Sequence, residues 1–329
     1  MDNAVNDPTE PWLLDIDFSE LMDLRIGYAF KLLFSKGDSR LLISLLNAIF
    51  ANKKIPRIIK SINIKNPFLD KDSNEDKLSI LDIRADLEDG TTILIEMHMY
   101  GLGELKAKTI RSWARAFGEE LEPGENYLGQ LPTIAITFAN GQVEPLNPKS
   151  SEDKIHRLCM IMDYEDYTVF TDAMELHYID MKAFAKAVNE SGSINIDDTK
   201  EVMFAKWLSI ITQKEINDKN IIKNICDEEE IQMAVSTLVR QSEDKIARQA
   251  YQRRKDEIYF YNMEKLEFQS KLEQQRKRTE QEQKRTEKER KRAEKERKRA
   301  EQEQKRAELA EAEIAKLRKE NEELRATQA

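Results

Sequence analysis

The sequence predicts an α/β protein: a mixed sheet flanked by helices, then a helical region, then a long charged C-terminal helix. Three observations predict it. A hairpin pattern runs from Leu78 to Met99, turning at Asp89-Gly90 between alternating apolar residues. Tyr127 to Ala139 is almost wholly apolar, as suits a central strand covered on both faces. Amphipathic helical patterns lie before, between and after these strands, the order expected of an α/β layer.

Composition limits what the chain can be. It has 329 residues, but the last ~60 carry few large apolar side chains, which leaves about 250 to build a core. A formal net charge of −9 argues against a surface that grips nucleic acid everywhere; such contact needs a local basic patch. Cys159 and Cys226 are the only cysteines, which suits a reducing cytosol and excludes a cysteine-based zinc site. No signal-peptide pattern and no apolar run near ~18 residues is present, so a cytoplasmic protein with no membrane partner is expected.

In chain order, residues 1–18 read as a loose arm. Ser19 is placed to cap a first helix carrying Leu21, Leu24, Tyr28, Leu32 and Leu33. Gly37-Asp38-Ser39 breaks it, and Ser39 can cap a second with the stripe Leu41, Leu42, Leu45, Leu46, Ile49 and Phe50. Phe30-Lys31 and Asn47 stand out on these helices, although Lys31 also reads as an ordinary solvated lysine. Pro56 to Ile64 alternates as a strand, the Asn66-Pro67 turn follows, and a charged loop from Asp70 to Asp76 leads into the hairpin. After Gly101 and Gly103, Glu104 to Leu121 reads as a helix with Leu105, Ile110, Trp113, Phe117 and Leu121 on its core face. Lys106, Lys108, Arg111 and Arg115 cover the rest, either to hold a phosphate backbone or as a solvated face. Glu175 to Asp180 is the next strand, and 182 to about 245 is helical.

Residues 277 to 311 repeat every seven: K-R-T-E-Q-E-Q, K-R-T-E-K-E-R, K-R-A-E-K-E-R, K-R-A-E-Q-E-Q, K-R-A-E-L-A-E. The first four units each set Glu before Lys at i,i+4 (Glu280→Lys284, Glu287→Lys291, Glu294→Lys298 and Glu301→Lys305), which supports an isolated helix. Thr279, Thr286, Ala293, Ala300 and Ala307 share a seam, continued by Ala310, Ile314, Leu317, Asn321 and Leu324 at alternating a and d positions. The middle d positions are mostly Glu. This is a self-supporting charged helix ending in a short zipper, either oligomerising through that end or standing as a monomeric rod.

The hairpin carries the chemistry. With Glu88-Asp89-Gly90 as a three-residue loop and Gly90 left-handed, Leu87 faces Thr91 and Asp82 lies across from Glu96. Glu96 and His98 then share one face, while Ile93, Ile95, Met97 and Met99 take the other. Asp82, Glu96 and the Met97 carbonyl suit magnesium, which takes a few oxygens plus water and phosphate. His98 is placed to handle the attacking water. The plainer reading pairs both acids with Arg84 or another exposed cation.

The ordered blocks F-K-L-L-F (30–34), L-L-N-A-I-F (45–50), L-D-I-R-A (81–85), I-E-M-H (95–98), R-S-W-A-R-A-F and E-L-H-Y-I-D-M-K-A-F (175–184) resemble the PD-(D/E)XK nuclease-like transposases, also called recombination-promoting nucleases. The resemblance spans about residues 20 to 210. It implies a restriction-endonuclease-like core, magnesium (or manganese) and DNA cleavage linked to transposition or recombination. Asp82 matches the metal-binding Asp and Glu96 the acid of the D…ExK core. His98 stands where the superfamily has Lys and this family usually Gln. Gly27 stands where the family tends to have Asp, and Asp23, one turn earlier, is the nearest substitute, with Lys31 as a further accessory residue. Lys108, Arg111 and Arg115 are the DNA-binding candidates. The expected organisation is an arm (1–18), a nuclease-like core (19–185), a helical extension (186–245) and the charged helix (246–329). The alternatives are a degenerate member that binds DNA or protein without cutting, and a scaffold that oligomerises through its tail.

Overall fold

The computed structural model describes residues 16–327 except 56, 66–82, 101, 122–123, 125, 146–153 and 195–198, with backbone alone for 199–200 and 320–327. The elements are α1 (Gly27–Lys36), α2 (Ser39–Asn52), β1 (Ile62–Lys65), β2 (Ile83–Leu87), β3 (Thr92–His98), α3 (Leu102–Gly118), β4 (Thr133–Ala139), β5 (His156–Met162) and β6 (Val169–Asp180). Then come α4 (Met181–Ser191), α5 (Thr199–Ile211), α6 (Lys219–Asn224), α7 (Glu229–Glu243) and α8 (Lys245–Thr327). The described residues up to Ile258 form one compact unit, and Tyr259–Ala329 form another. Among the described residues no helix is long and apolar enough to cross a membrane.

The six strands make one mixed sheet in the order β1-β2-β3-β4-β6-β5. β1, β2 and β3 run antiparallel, β4 and β6 run parallel to β3, and β5 returns antiparallel to β6. The parallel neighbours β3 and β4 need a crossover, and α3 supplies it. Every residue of β4 is buried, as the apolar run predicts, but the strand begins only at Thr133: Tyr127–Gly129 form a 3-10 turn, capped by the Asn126 side chain, in which Tyr127 and Leu128 are exposed. One sheet face carries Ile83, Ala85, Ile93, Ile95, Ile134, Ile136 and Phe138 into a large core with α1, α2 and α5. The other carries Leu94, Ala135, Leu176 and Tyr178 into a smaller core with Leu105 and Ala116 of α3. This is the expected fold class, a restriction-endonuclease-like α/β core with a long C-terminal helix.

The hairpin forms as its turn chemistry dictates. The Leu87 amide bonds the Thr91 carbonyl at 2.9 Å, Gly90 has φ +87, and the Thr91 amide bonds Asp89 Oδ1 at 2.9 Å. Described pairing ends at Ile83↔Ile95. Asn47, singled out on α2, clamps the chain leading to β1: its Nδ2 donates to the Ile59 carbonyl (3.0 Å) and its Oδ1 accepts from the Ile59 amide (2.8 Å).

Several elements differ from expectation. The first helix starts at Gly27 rather than Ser19, because the Asp23 carboxylate accepts from the Arg25 amide and holds the preceding residues in turns. Phe18, Leu21, Met22 and Leu24 are buried all the same. Asp38, not Ser39, caps α2 by accepting from the Arg40 amide. On α3 the buried positions are Leu105, Thr109 and Ala116, while Ile110 is exposed. The first strand is Ile62–Lys65, shorter and later than Pro56–Ile64. β5 is an additional strand, and β6 begins six residues before Glu175. The Asn66-Pro67 turn, the Asp70–Asp76 loop, residues 78–82 and all but the end of the N-terminal arm lie outside the described residues.

Candidate active site

β3 lies between β2 and β4, so its side chains alternate between two covered faces. Ile93, Ile95 and Met97 pack toward the large core, whereas Leu94 packs under α3. Glu96 and His98 continue the α3 face. Each side chain is 13% exposed, and Lys108 of α3, 35% exposed, reaches over them. Lys108 Nζ lies 3.4 Å from Glu96 Oε1, and His98 Nδ1 lies 3.9 Å from the same oxygen. The first is a long charged hydrogen bond; the second is an electrostatic contact. Glu96 Oε2 accepts no hydrogen bond from the described residues, which leaves one carboxylate oxygen for a ligand.

Packing fixes α3 in this position. Leu105 is fully buried, Thr109 Oγ1 meets Thr137 Oγ1 at 3.3 Å, and Trp113 Nε1 donates to the Thr133 carbonyl at 2.9 Å. Lys108 flanks that buried stripe, three residues after Leu105. Its place beside Glu96 was not expected, and the spacing from Leu105 is the signal that could have shown it.

The other candidates are placed as follows. Asp82 lies outside the described residues. Met97 is half-buried, and the ring of its Cα partner Phe138 meets that of Phe30 in a tilted contact with centroids 5.6 Å apart, which brings the Phe30-Lys31 pair of α1 beside the C-terminal ends of β3 and β4. Asp23 is committed elsewhere: its oxygens take Arg25 Nε (2.9 Å) and Nη2 (2.7 Å), and the same guanidinium also binds Glu215. Arg111 is exposed. Arg115 is exposed too, but its Nε binds Glu119 Oε1 at 2.8 Å. Arg84, the alternative partner for the hairpin acids, binds Glu119 Oε2 at 3.0 Å. The three DNA-binding candidates of α3 therefore separate into one at Glu96, one open to solvent and one shared with an acid, while Lys106 donates to the Glu144 carbonyl at 2.9 Å.

A second Glu-x-His pair lies on β6. Glu175 Oε2 takes Arg57 at 3.0 Å and Oε1 takes His177 Nε2 at 3.0 Å. His177 Nδ1 is 2.8 Å from His156 Nε2, and His156 Nδ1 is 2.6 Å from Asn52 Oδ1. Burial, with His177 and Lys53 nearby, pushes His156 down to about 2. Burial also lowers His177, against the opposing pull of Glu175. Burial pushes Glu175 upward, but the bond from His177 and the Arg57 charge outweigh it and hold the carboxyl below its usual range. Burial thus favours a carboxylate followed by two neutral imidazoles, an arrangement that requires the Asn52 amide to turn over so that its nitrogen replaces Oδ1 at His156. Sequence reasoning missed this network, and its role is in the core: every ring nitrogen is occupied.

A hard divalent cation wants carboxylate and water oxygens. Glu96 supplies one such oxygen, but among the described residues no group of three or more His, Cys, Asp or Glu converges to hold an ion. No curated protein and no solved structure matches the chain. A family profile described as PD-(D/E)XK nuclease family transposase matches residues 24–265, which takes in α1 through the start of α8 and every strand between. The chain belongs to the PD-(D/E)XK nuclease family transposases.

Proposed function

We propose that this protein is a metal-dependent endodeoxyribonuclease acting in transposition or recombination. The observation that carries the reading is the grouping of Glu96, His98 and Lys108 on one sheet face of a chain from this nuclease family. Asp82, one residue beyond the Ile83↔Ile95 pair, is the second proposed carboxylate, and the Met97 carbonyl the third oxygen. Magnesium or manganese held there would polarise the scissile phosphate and lower the pKa of a bound water. His98 orients or deprotonates the attacking water. Lys108 supplies the lasting positive charge that an imidazole at position 98 does not. Exposed Arg111, with Arg115 beside it, contacts the phosphate backbone outside the site.

Supercoiled plasmid with magnesium tests the reading. Nicks or breaks are expected, lost in Asp82→Ala and in Glu96→Gln. Cleavage unchanged in both variants would refute the site. Salt-sensitive DNA binding with no metal-dependent cleavage would favour the non-cutting alternative.

We further propose that the chain self-associates through α8. Ile314 and Leu317 are exposed on the seam that the repeat lays down, which supports this reading.

A further inference from the structure

The described residues of the unit Tyr259–Ala329 are one stretch of helix, and their exposed apolar side chains are not confined to its C-terminal end. Phe268 is 67% exposed, Ile314 51% and Leu317 54%; Tyr261 and Leu272 are exposed as well. Counting back by sevens from the repeat, Leu272 takes the a position of Thr279, while Tyr261 and Phe268 take the d position of Glu282. The two apolar ends therefore share one heptad phase across a charged middle.

We propose that two copies of this helix pair antiparallel, with Phe268 of one copy packed on Ile314 of the other. This rests on the self-association reading above and adds its direction and register. An antiparallel pair sets each a position against a d position. With Phe268 on Ile314, the layers run Lys265–Leu317, Phe268–Ile314, Leu272–Ala310, Gln275–Ala307, Thr279–Glu303, Glu282–Ala300, Thr286–Glu296 and Glu289–Ala293. The pattern then repeats by the two-fold axis, so one surface is self-complementary, as an isologous dimer requires. A large side chain at Leu272 meets a small one at Ala310.

Charge decides the direction. A parallel, in-register pair sets Glu282, Glu289, Glu296 and Glu303 each against its own copy, giving four like-charge layers. The antiparallel pair places every one of those glutamates against Ala or Thr. The flanking arginines, Arg285, Arg290, Arg292 and Arg297, meet other arginines in either direction, so they do not discriminate. Lys265 lies against Leu317, where its stem can cover the leucine while the ammonium reaches water. The exposed ends favour a second copy over an unrelated partner because each end offers what the other lacks at the matching layer.

The test uses the full chain with single cysteines at the paired layer. Phe268→Cys and Ile314→Cys are prepared separately, one with a tag, then mixed, exchanged and oxidised. A cross-link between the two different variants is expected, with none from either variant alone. In the antiparallel pair, residue 268 of one copy lies 46 positions along the helix from residue 268 of the other, or about 69 Å. A disulfide needs Cα atoms about 4.4–6.8 Å apart. The unsubstituted chain controls for Cys159 and Cys226. A dimeric mass by light scattering with cross-links from Ile314→Cys alone would overturn the direction and leave self-association standing. A monomeric mass would overturn both.

Discussion

Acid should loosen the nuclease core well above the range in which ordinary carboxylates titrate. His156 and His177 are two of the three histidines, and both are held neutral by burial beside Phe50, Phe204 and the Asn52 amide. In the unfolded chain each titrates near ~6.5. In the folded chain His156 is pushed down to about 2 and His177 is also lowered. Below pH ~6.5 the unfolded state therefore binds more protons, and stability falls as pH falls from there toward the folded values. A histidine contributes at most ~1.4 kcal/mol per pH unit, so His156 costs ~2 kcal/mol between pH 8 and pH 5, and the lowered His177 adds to this in the same direction. That is a large share of a typical domain's ~5–15 kcal/mol. Glu175 does not mask the effect, because its lowered pKa makes its own loss fall at still lower pH. Urea unfolding at pH 8 and pH 5, followed by the fluorescence of buried Trp207, measures the difference. His156→Gln removes one titrating group and should reduce the pH dependence, whatever it does to stability at pH 8. Equal stability of the unsubstituted protein at the two pH values, or an unchanged slope in the variant, would refute the neutral chain.

Three further outcomes follow from the same geometry. Arg57→Met leaves Glu175 buried without its guanidinium and should cost ~3–5 kcal/mol in urea unfolding, much of it recovered in the double variant with Glu175→Gln. Gly90→Ala places a side chain where φ is +87 and its Cβ would lie 2.5 Å from Leu131 Cδ1, so a loss of ~1–2 kcal/mol in thermal unfolding is expected. Lys108→Met should lower single-turnover plasmid cleavage by ~10²-fold or more while the circular dichroism spectrum and melting temperature stay close to those of the parent.

The fold was legible where local chemistry and burial agree. The Asp89-Gly90 turn set the hairpin register, the apolar run of β4 announced a central strand, and the seven-residue repeat could only be helix. It was illegible where a side chain competes with the backbone or where a partner decides. Asp23 turns its carboxylate onto the Arg25 amide, and the N-cap falls at Ile26, seven residues after Ser19. β5 carries Arg157 and Cys159 among its apolar residues and has no clean alternation, so its identity comes from pairing with β6. The core face of α3 was misassigned at Ile110 because Thr109, bonded to Thr137, takes the buried position that hydrophobicity alone would not give it.

The candidate site shows the same limit more sharply, because the chain contains Glu-x-His twice, on strands with opposite fates. Parallel pairing aligns Glu96 with Thr137 and Tyr178, on the face that α3 covers. It aligns His177 with Ile136 and Ile95, on the face of the large core. A shift of one residue in register exchanges those faces. On the core face the pair meets Arg57, His156 and Phe50, every polar atom is used, and nothing is left to bind a substrate. On the α3 face Lys108 reaches Glu96 Oε1 at a long 3.4 Å, and Glu96 Oε2 accepts no hydrogen bond from the described residues. Spacing within the motif therefore cannot separate a pair proposed for the active site from a buried brace. What separates them is which face the neighbouring strands assign, and how much of the donor and acceptor capacity that face leaves unspent.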